Sequence, residues 1–460
     1  MPLIKSISGI RGTIGLDNEE NLTPTNIKKF VFSYCNWILS VSRDAKTTIV
    51  TGRDSRDSGP VIHEIVNQTI ISMGINVLDI GLSTTPTVGY SVPRTNSQGG
   101  IIVTASHNPK EWNALKLLDS NGEFINEESG KLIIENVNNI ELKFLEVEKL
   151  GNIKFKEGFF KKHIDAILNI PFLNTEKIKS KKYKVVLDGI NSTGGVAIPY
   201  LLEKLNIECV KINCIPDGNF AHNPEPLEEN LKGLCEEVKL NSADFGIAVD
   251  PDVDRLVFVD ENGKFFGEEY TLVACAEYIL NKTPGNTVSN LFSTRVLADI
   301  TVKFGEKYYS SPVGEVNVVK KMKKVNAVIG GEGNGGVIYP KTHYGRDAFI
   351  GIIFFISHLV DRNLTVSELK KTYPQYFISK NKIELSSNVN IKHIFEKIEF
   401  LYKTEKINKD DGLKIDFNDS WIGIRKSNTE RIIRIYSEAK TLSQANRLSD
   451  KIISQIKEDV

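Results

Sequence analysis

The sequence predicts an α/β protein: three successive α/β units followed by a C-terminal α+β unit. Three observations predict it. β-rich runs alternate with helically spaced segments, the alternation returns three times, and the pattern changes over the last ~90 residues. At 460 residues the chain has room for two to four domains of roughly 100–200 residues each.

In the first unit, "TTIVTG" is β-rich, "PVIHEIVNQTIISMG" has helical spacing and ends in Gly74, and "INVLDIG" is β-rich again. "GGIIVTAS" follows after a short segment. This is βαβα patterning, which implies a parallel or mixed sheet with helices on its faces. The second unit repeats it with "YKVVLDG", "VAIPYLLEKLN", "IECVKI" and "DFGIAV". The third has "TVSNLF", "TRVLADITVKFG" and "NAVIGG". The units share a pattern without close identity. The expected domains are 1–150, 151–258, 259–372 and 373–460.

The last domain has shorter elements. "LKIDF" puts Leu413, Ile415 and Phe417 on one face and Lys414 and Asp416 on the other. "IIRIYSEA" alternates Ile433 and Ile435 against Arg434 and Tyr436. Both read as strands with one buried side. A closing helix opens on a capping box, Thr441 to Gln444. Ala445, Leu448, Ile452 and Ile456 make its apolar stripe, which reads as core packing. The short link near 370–380 would let this domain move.

Lys+Arg and Asp+Glu both total 58, so the formal net charge is zero. That argues against a broad nucleic-acid-binding surface, though not against a local basic pocket. No apolar run approaches the ~18 residues of a membrane span. The start, "MPLIKSISGIRG", lacks the apolar core of a signal peptide. Cys35, Cys209, Cys214, Cys235 and Cys275 are scattered and show no zinc spacing. A reduced, cytoplasmic chain is the simplest expectation.

Four stretches carry chemistry. "TASHNP" follows an apolar strand and delivers Ser106, His107 and a proline-stiffened turn to one point. Adjacent side chains of an extended loop point apart, so a Ser–His hydrolase pair is not expected. "DFGIAVDPDVDR" releases Asp250, Asp252 and Asp254 at alternate positions, then Arg255. Three carboxylates this close repel one another, and a hard cation such as Mg²⁺ takes oxygen ligands. An EF-hand also begins D-x-D-x-D, and Glu261 falls at the twelfth position. Its sixth position needs glycine, however, and here is Arg255, between strand-like flanks. A haloacid-dehalogenase-type phosphatase, with Asp250 as nucleophile, is the alternative hydrolase reading, and it gives the serine loop no role.

"AVIGGEGNGGVIYP" ends a strand in a glycine-rich loop bearing Glu332, an acceptor for sugar hydroxyls, and Asn334. Its glycines permit close approach of a ligand. "RKSNTERIIRIY" places Arg425, Ser427, Asn428 and Thr429 before a strand, a set suited to an anion nest. Taken singly, each of these two is no better than an ordinary turn. Arg11 in "SGIRG", Arg53 and Arg56 in "GRDSRDSG", and Lys116 in "NALKL" count only as members of a set.

Together these stretches resemble the α-D-phosphohexomutase superfamily over the whole chain: the SHNP serine loop, the D-x-D-x-D-R metal loop, the GE-x-x-GG sugar loop and the R-x-SNT phosphate loop, in that order. The resemblance implies four domains around a central cleft. It implies reversible phosphoryl transfer between the 6- and 1-positions of a hexose phosphate, through a phosphoserine and a sugar 1,6-bisphosphate. Ser106 would be that phosphoserine. Asp250, Asp252 and Asp254, with the Ser106 phosphate, would hold one Mg²⁺ per chain. Arg255 would lie near the reacting phosphate, with His107 and Lys116 as acid/base neighbours and Arg11 and Arg56 positioning the reacting groups. Glu332, with Asn334 and Gly335, would read the sugar. Arg425, Ser427, Asn428 and Thr429 would clamp the non-reacting phosphate.

The sugar loop reads GEGNGG rather than a form ending in Ser-Gly-His, and the metal loop has Pro251 and Val253 where glycine is frequent. The phosphate loop has Asn428 where glycine is usual and Arg431 where proline is usual. With "SPVGEVNVVKK" and "HYGRD", these variants resemble the archaeal-type phosphoglucosamine mutase subgroup, while SNT is also the phosphomannomutase/phosphoglucomutase spelling. Glu315 stands where some relatives carry a histidine. The expected partner is a small sugar phosphate, with no nucleic acid and no membrane, in a monomer or homodimer.

Overall fold

The computed structural model describes residues 3–6, 9–15, 21–42, 46–139, 145–385, 390–427 and 432–457. Their strands form four sheets. In the first, Ile4–Ser6, Gly9–Thr13, Trp112–Leu118, Gly99–Val103, Thr48–Arg53, Asn76–Leu82 and Ile153–Phe155 lie in that order. Its four strands from Gly99–Val103 to Ile153–Phe155 are parallel, as the βαβα pattern requires, and the rest are antiparallel. The last strand joins beyond residue 150.

The second sheet has the order Leu256–Asp260, Phe245–Val249, Lys184–Asp188, Glu208–Ile212, and only the first pair is antiparallel. The third has the order Tyr308–Ser311, Thr287–Asn290, Ile329–Glu332, Gly336–Ile338, and only the last pair is antiparallel. In both, a central parallel strand ends at a loop the sequence singled out. The fourth sheet is wholly antiparallel: Phe377–Glu384, Ile432–Ala439, Trp421–Lys426, Leu413–Asp416, Lys406–Asn408.

The second and third units share one core. Helix Ala348–Arg362 is buried on every side from Ala348 to Val360. A helix apolar all round belongs between layers rather than on a surface. Its Phe355 stacks on Phe258 of the second sheet, with centroids 3.6 Å apart. No helix among the described residues is long and apolar enough to cross a membrane.

The fourth sheet corrects the expectation of one buried side. Ile415, Ile433 and Ile435 face its helices, Ile391–Leu401 and Leu442–Lys457, as the alternation predicts. The Thr441 hydroxyl accepts from the Gln444 N–H at the start of the second helix. The opposite face is covered as well. Trp421, fully buried, donates its indole N–H to Glu438 at 2.8 Å, and its ring lies 6.3 Å from that of Phe292 in the third unit. Glu438 also accepts from the Arg295 N–H. Lys414 is buried, with its ammonium 4.5 Å over the Trp421 ring, and burial lowers its pKa. Docking between domains covers a face that alternation alone assigns to solvent.

Trp421→Ala removes this packing and one of the donors to Glu438, an expected cost of about 3 kcal/mol or more. Limited proteolysis of the 372–376 link, between helix Val366–Lys371 and strand Phe377–Glu384, is then expected to accelerate about tenfold for each ~1.4 kcal/mol lost in docking. Trp421→Phe, which keeps most of the packing, is expected to give a smaller increase.

Candidate active site

The serine loop is built on Arg56. This side chain is fully buried and pairs through Nε with Asp54 at 3.1 Å. Its Nη1 donates to the carbonyls of Pro109 and Trp112, and its Nη2 to those of Ser106 and Asn108, at 2.5–2.9 Å. One guanidinium thus binds four carbonyls of the buried turn, of which that of Pro109 also accepts from the Trp112 N–H. Asp54 also accepts from the Thr104 hydroxyl, which accepts from the Ser106 N–H. Arg11, on strand Gly9–Thr13, holds Asn108 Oδ1 at 2.6 Å. Arg56 and Arg11 therefore shape the turn.

Held this way, Ser106 has φ +51°. Left-handed backbone is uncommon for a non-glycine residue and marks a conformation imposed by its surroundings. It corrects the expectation that Ser106 and His107 point apart, because the chain is not extended there. Ser106 Oγ lies 3.3 Å from His107 Nδ1 and donates to Asp250 Oδ2 at 2.5 Å. His107 Nε2 faces Arg255 Nη2 at 3.4 Å rather than an orienting carboxylate. Burial first, then Arg255 and Arg11, push the imidazole well below its usual range, so it is neutral at pH 7.

The metal loop follows strand Phe245–Val249. Asp250, Asp252 and Asp254 have no exposed surface, and one oxygen of each lies within 4.8 Å of the others. Asp250 Oδ1 accepts from the N–H groups of Asp254 and Arg255. Asp252 Oδ2 accepts from Thr85 Oγ1 and Lys116 Nζ, both at 2.5 Å. Asp254 Oδ2 accepts from Lys116 Nζ at 3.2 Å and Arg346 Nη2 at 2.7 Å. Asp252 Oδ1 and Asp254 Oδ1 are buried with no partner. Two orphaned carboxylate oxygens beside Asp250 and Ser106 Oγ make an oxygen donor set that fits Mg²⁺.

Electrostatics divides the three carboxylates. Burial, then Asp254 and Asp252, raise Asp250 well above the carboxylate range. Burial also works against ionised Asp254, but Arg346 and Lys116 more than offset it and hold it below that range. Lys116 comes from strand Trp112–Leu118. Burial lowers its pKa, while Asp252 and Asp254 raise it further, so it is an ammonium. Arg255 pairs with Glu225 at 2.9 Å.

Glu332, at the end of strand Ile329–Glu332, accepts from Asn290 Nδ2 and the Gly314 N–H at Oε1, and from Arg346 Nη1 at Oε2. Asn334 Oδ1 accepts from the Gly336 N–H. Gly335, at φ +88°, packs on the backbone of Leu256, where a Cβ would sit 2.3 Å from a carbonyl oxygen. Gly335 therefore shapes the loop. In the phosphate loop, Arg425 Nε donates to Asp411 Oδ1, and Ser427 is buried. Asn428 and Thr429 lie outside the described residues. The other Asp411 oxygen accepts from the Val313 N–H, one residue before Gly314, so Arg425 is tied to the turn whose Gly314 N–H meets Glu332.

Loops from the first three units therefore meet at one point, and the fourth approaches it through Asp411. Sequence reasoning missed Asp54, Thr85, Asn108, Arg346 and Asp411. Arg346 was visible only as part of the spelling "HYGRD".

A buried serine beside three buried carboxylates, on four such sheets, is the arrangement of a phosphohexomutase, an isomerase. The chain belongs to the phosphoglucomutase/phosphomannomutase family: the family's alpha/beta/alpha domains I, II and III match residues 4–144, 161–263 and 267–376, and its C-terminal domain matches 387–455. It is 36% identical to a phosphoglucomutase/phosphomannomutase of Thermococcus kodakarensis, over 98% of each chain. It is 32% identical to a phosphoglucosamine/phosphogalactosamine mutase of Sulfurisphaera tokodaii, over 96% of this chain and 97% of that one. A crystal structure of a phosphoglucomutase/phosphomannomutase family protein from Burkholderia thailandensis shares the fold, with TM-score 0.84 and 22% identity over 98% of this chain and 96% of that one.

Glu315, paired with Arg346, supplies a pH test. Burial raises its carboxyl to about 7, against the opposing pull of Arg346. A carboxyl raised in the folded state contributes stability that is fully present below its unfolded value of 4.5 and is lost as pH rises through about 7. Between those limits the wild type is expected to lose up to about 1.4 kcal/mol per pH unit from this group. Glu315→Gln lacks that contribution, so urea unfolding of the two proteins across this window should give different slopes. Parallel slopes would contradict the assignment.

Proposed function

We propose that the chain interconverts glucosamine 6-phosphate and glucosamine 1-phosphate through a phosphoserine at Ser106 and glucosamine 1,6-bisphosphate. The observation that carries the reading is the Ser106 hydroxyl, held 2.5 Å from Asp250 on a rigid turn, beside two unpartnered carboxylate oxygens. In the forward half-cycle, the P–Oγ bond of phospho-Ser106 breaks and a bond to a sugar hydroxyl oxygen forms. The hydroxyl proton passes to a base, for which neutral His107 and a carboxylate are at hand. The base returns that proton to the leaving Ser106 Oγ. The bisphosphate then presents its other phosphate to Ser106 Oγ: the bond from that phosphorus to the sugar oxygen breaks as the P–Oγ bond forms, the Ser106 proton passes through the base to the freed sugar oxygen, and the phosphoserine is restored.

Phosphoryl transfer needs positioning and charge neutralisation more than covalent chemistry. Lys116 brings a positive charge to the same carboxylates, Arg255 stands beside His107, and Arg56 fixes the nucleophile. Asp250, Asp252 and Asp254, with an oxygen on Ser106, would hold Mg²⁺, which supplies neutralisation of the transferring phosphoryl group. Glu332 would read the sugar, and Arg425, Ser427, Asn428 and Thr429 would clamp the distal phosphate, lending its binding energy to the reacting end.

Glucosamine is favoured by the Sulfurisphaera relative's name and by the "SPVGEVNVVKK" and "HYGRD" spellings. The Thermococcus relative supports a second reading, in which glucose or mannose phosphate is the substrate. A phosphatase using Asp250 is disfavoured. That reading gives no role to Ser106, whose buried hydroxyl donates to Asp250 Oδ2 at 2.5 Å.

The 1-phosphates of glucosamine, glucose and mannose, each with Mg²⁺ and a trace of its bisphosphate, are to be compared by kcat/KM. The glucosamine ester is expected to lead, and Ser106→Ala to lose activity by roughly a thousandfold or more. Preference for glucose or mannose phosphate overturns the substrate and keeps the serine. Release of free phosphate that survives Ser106→Ala overturns the serine.

A further inference from the structure

The loop between strand Gly336–Ile338 and helix Ala348–Arg362 sends two adjacent side chains to different places. Arg346 enters the cleft and spends each of its nitrogens on a different carboxylate. Nε donates to Glu315 at 2.8 Å, Nη1 to Glu332 at 3.0 Å and Nη2 to Asp254 at 2.7 Å. All four side chains are buried. The three acceptors come from the metal loop, the start of helix Glu315–Val325 and the sugar loop. Without the guanidinium, Asp254 would keep Lys116 and Glu332 only the neutral Asn290 and Gly314 donors, and unpaired buried charge is strongly destabilising.

Asp347 anchors the same loop. Its Oδ1 accepts from the Phe349 N–H as the cap of helix Ala348–Arg362. Its Oδ2 lies 3.2 Å from both His163 Nε2 and His343 Nε2. His163 stacks on Tyr90 at 4.3 Å, and its Nδ1 lies 3.3 Å from Thr87 Oγ1. Tyr90 and Thr87 lie on helix Thr85–Arg94, whose Thr85 holds Asp252. The loop is thus seated against the first and second units, not only the third.

A further contact points the same way. Val253, in the metal loop, has φ +63°, a costly conformation for a β-branched residue. The Ala348 N–H donates to its carbonyl at 3.2 Å. Residues 346 and 348 therefore grip neighbouring residues of the metal loop, Asp254 through its side chain and Val253 through its backbone. With Asp254 Oδ2 pinned by Arg346 and Lys116, Oδ1 is the oxygen left to face a cation.

We propose that Arg346 is a positioning residue that locks the metal loop and the sugar loop in one register, with the Asp347–His163–His343 cluster as its anchor. It sets which oxygen of Asp254 meets the metal and, through the same planar fork, where the Glu332 carboxylate stands. A lysine cannot replace it, because an ammonium is a point charge and cannot hold three carboxylates along three fixed directions. The proposal rests on the phosphotransfer reading of the cleft.

The test uses the full-length protein and Arg346→Lys. Mn²⁺ binding is followed by electron paramagnetic resonance without turnover, and kcat and KM are measured with hexose 1-phosphate and bisphosphate. Loss of a group that orients a metal ligand typically costs 10–100-fold, so Mn²⁺ dissociation is expected to rise about tenfold and kcat/KM to fall about a hundredfold. KM is expected to rise with it, since Glu332 is released. Guanidinium ion is expected to restore activity to Arg346→Ala in part. Mn²⁺ affinity and kcat/KM within about twofold of wild type in folded Arg346→Lys would overturn the proposal. Should Arg346→Lys fail to fold, His343→Asn loosens the anchor alone. A several-fold weaker Mn²⁺ affinity supports the proposal there, and an unchanged affinity in the folded variant refutes it. A wild type that isomerises no hexose phosphate yet shows Arg346-dependent Mn²⁺ binding sinks the functional reading and leaves the positioning role. Isomerisation with Arg346-independent binding does the reverse.

Discussion

Three carboxylates on one loop, all without solvent, are the constraint on which the rest of the molecule depends. Asp250, Asp252 and Asp254 repel one another, and burial multiplies the repulsion because water no longer screens it. Such a loop survives only if cations and donors arrive from elsewhere. The side chains that hydrogen-bond Asp252 and Asp254 come from other units. Lys116 and Thr85 come from the first, Arg346 from the third, and the serine that meets Asp250 from the first again. The domains assemble around a charge that other units help to stabilise, and that brings Ser106, the three carboxylates and the Glu332 loop together.

The same economy governs backbone strain. Ser106 and Val253 both adopt left-handed backbone, and both lie in loops that face each other across the cleft. Neither conformation is the chain's own choice. Ser106 is held by Arg56, whose five donors are spent on Asp54 and four carbonyls. The metal loop is held by Ser192 and Thr193, which both donate to the Pro251 carbonyl at 2.7 Å, and by the Ala348 N–H. A rigid nucleophile and a rigid metal loop cost no reorganisation at the moment of transfer, which is where electrostatic catalysis has its advantage.

The order of strands and helices was legible because apolar runs and turn residues are local signals. The loops were legible because each follows a strand with residues whose chemistry is hard to explain otherwise. What was hidden depends on tertiary contacts. Ser106 and His107 meet because a buried guanidinium, 50 residues away in sequence, bends the turn. Lys414 reads as a solvent-facing strand residue and is buried because another domain lies over it. Helix Ala348–Arg362 reads as part of one unit and serves the core of two. Arg346 and Asp411 look like ordinary loop charges until their partners, more than ten residues distant, are placed beside them.

The link through Asp411 bears on how one cleft processes both ends of a sugar. Its two oxygens join Arg425 of the phosphate loop to the Val313 N–H, next to the Gly314 N–H that meets Glu332. The fourth domain also docks on the third through Trp421, Glu438 and Phe292. In the proposed cycle these contacts set the spacing between the clamp and the sugar reader in this state. Arg346 in turn ties that reader to the metal loop facing Ser106. A bisphosphate that reverses between half-reactions meets the same frame each time. In that proposed cycle, whichever phosphate enters the clamp, the other would lie at the serine, so a single nucleophile would serve two positions of the sugar without a second site.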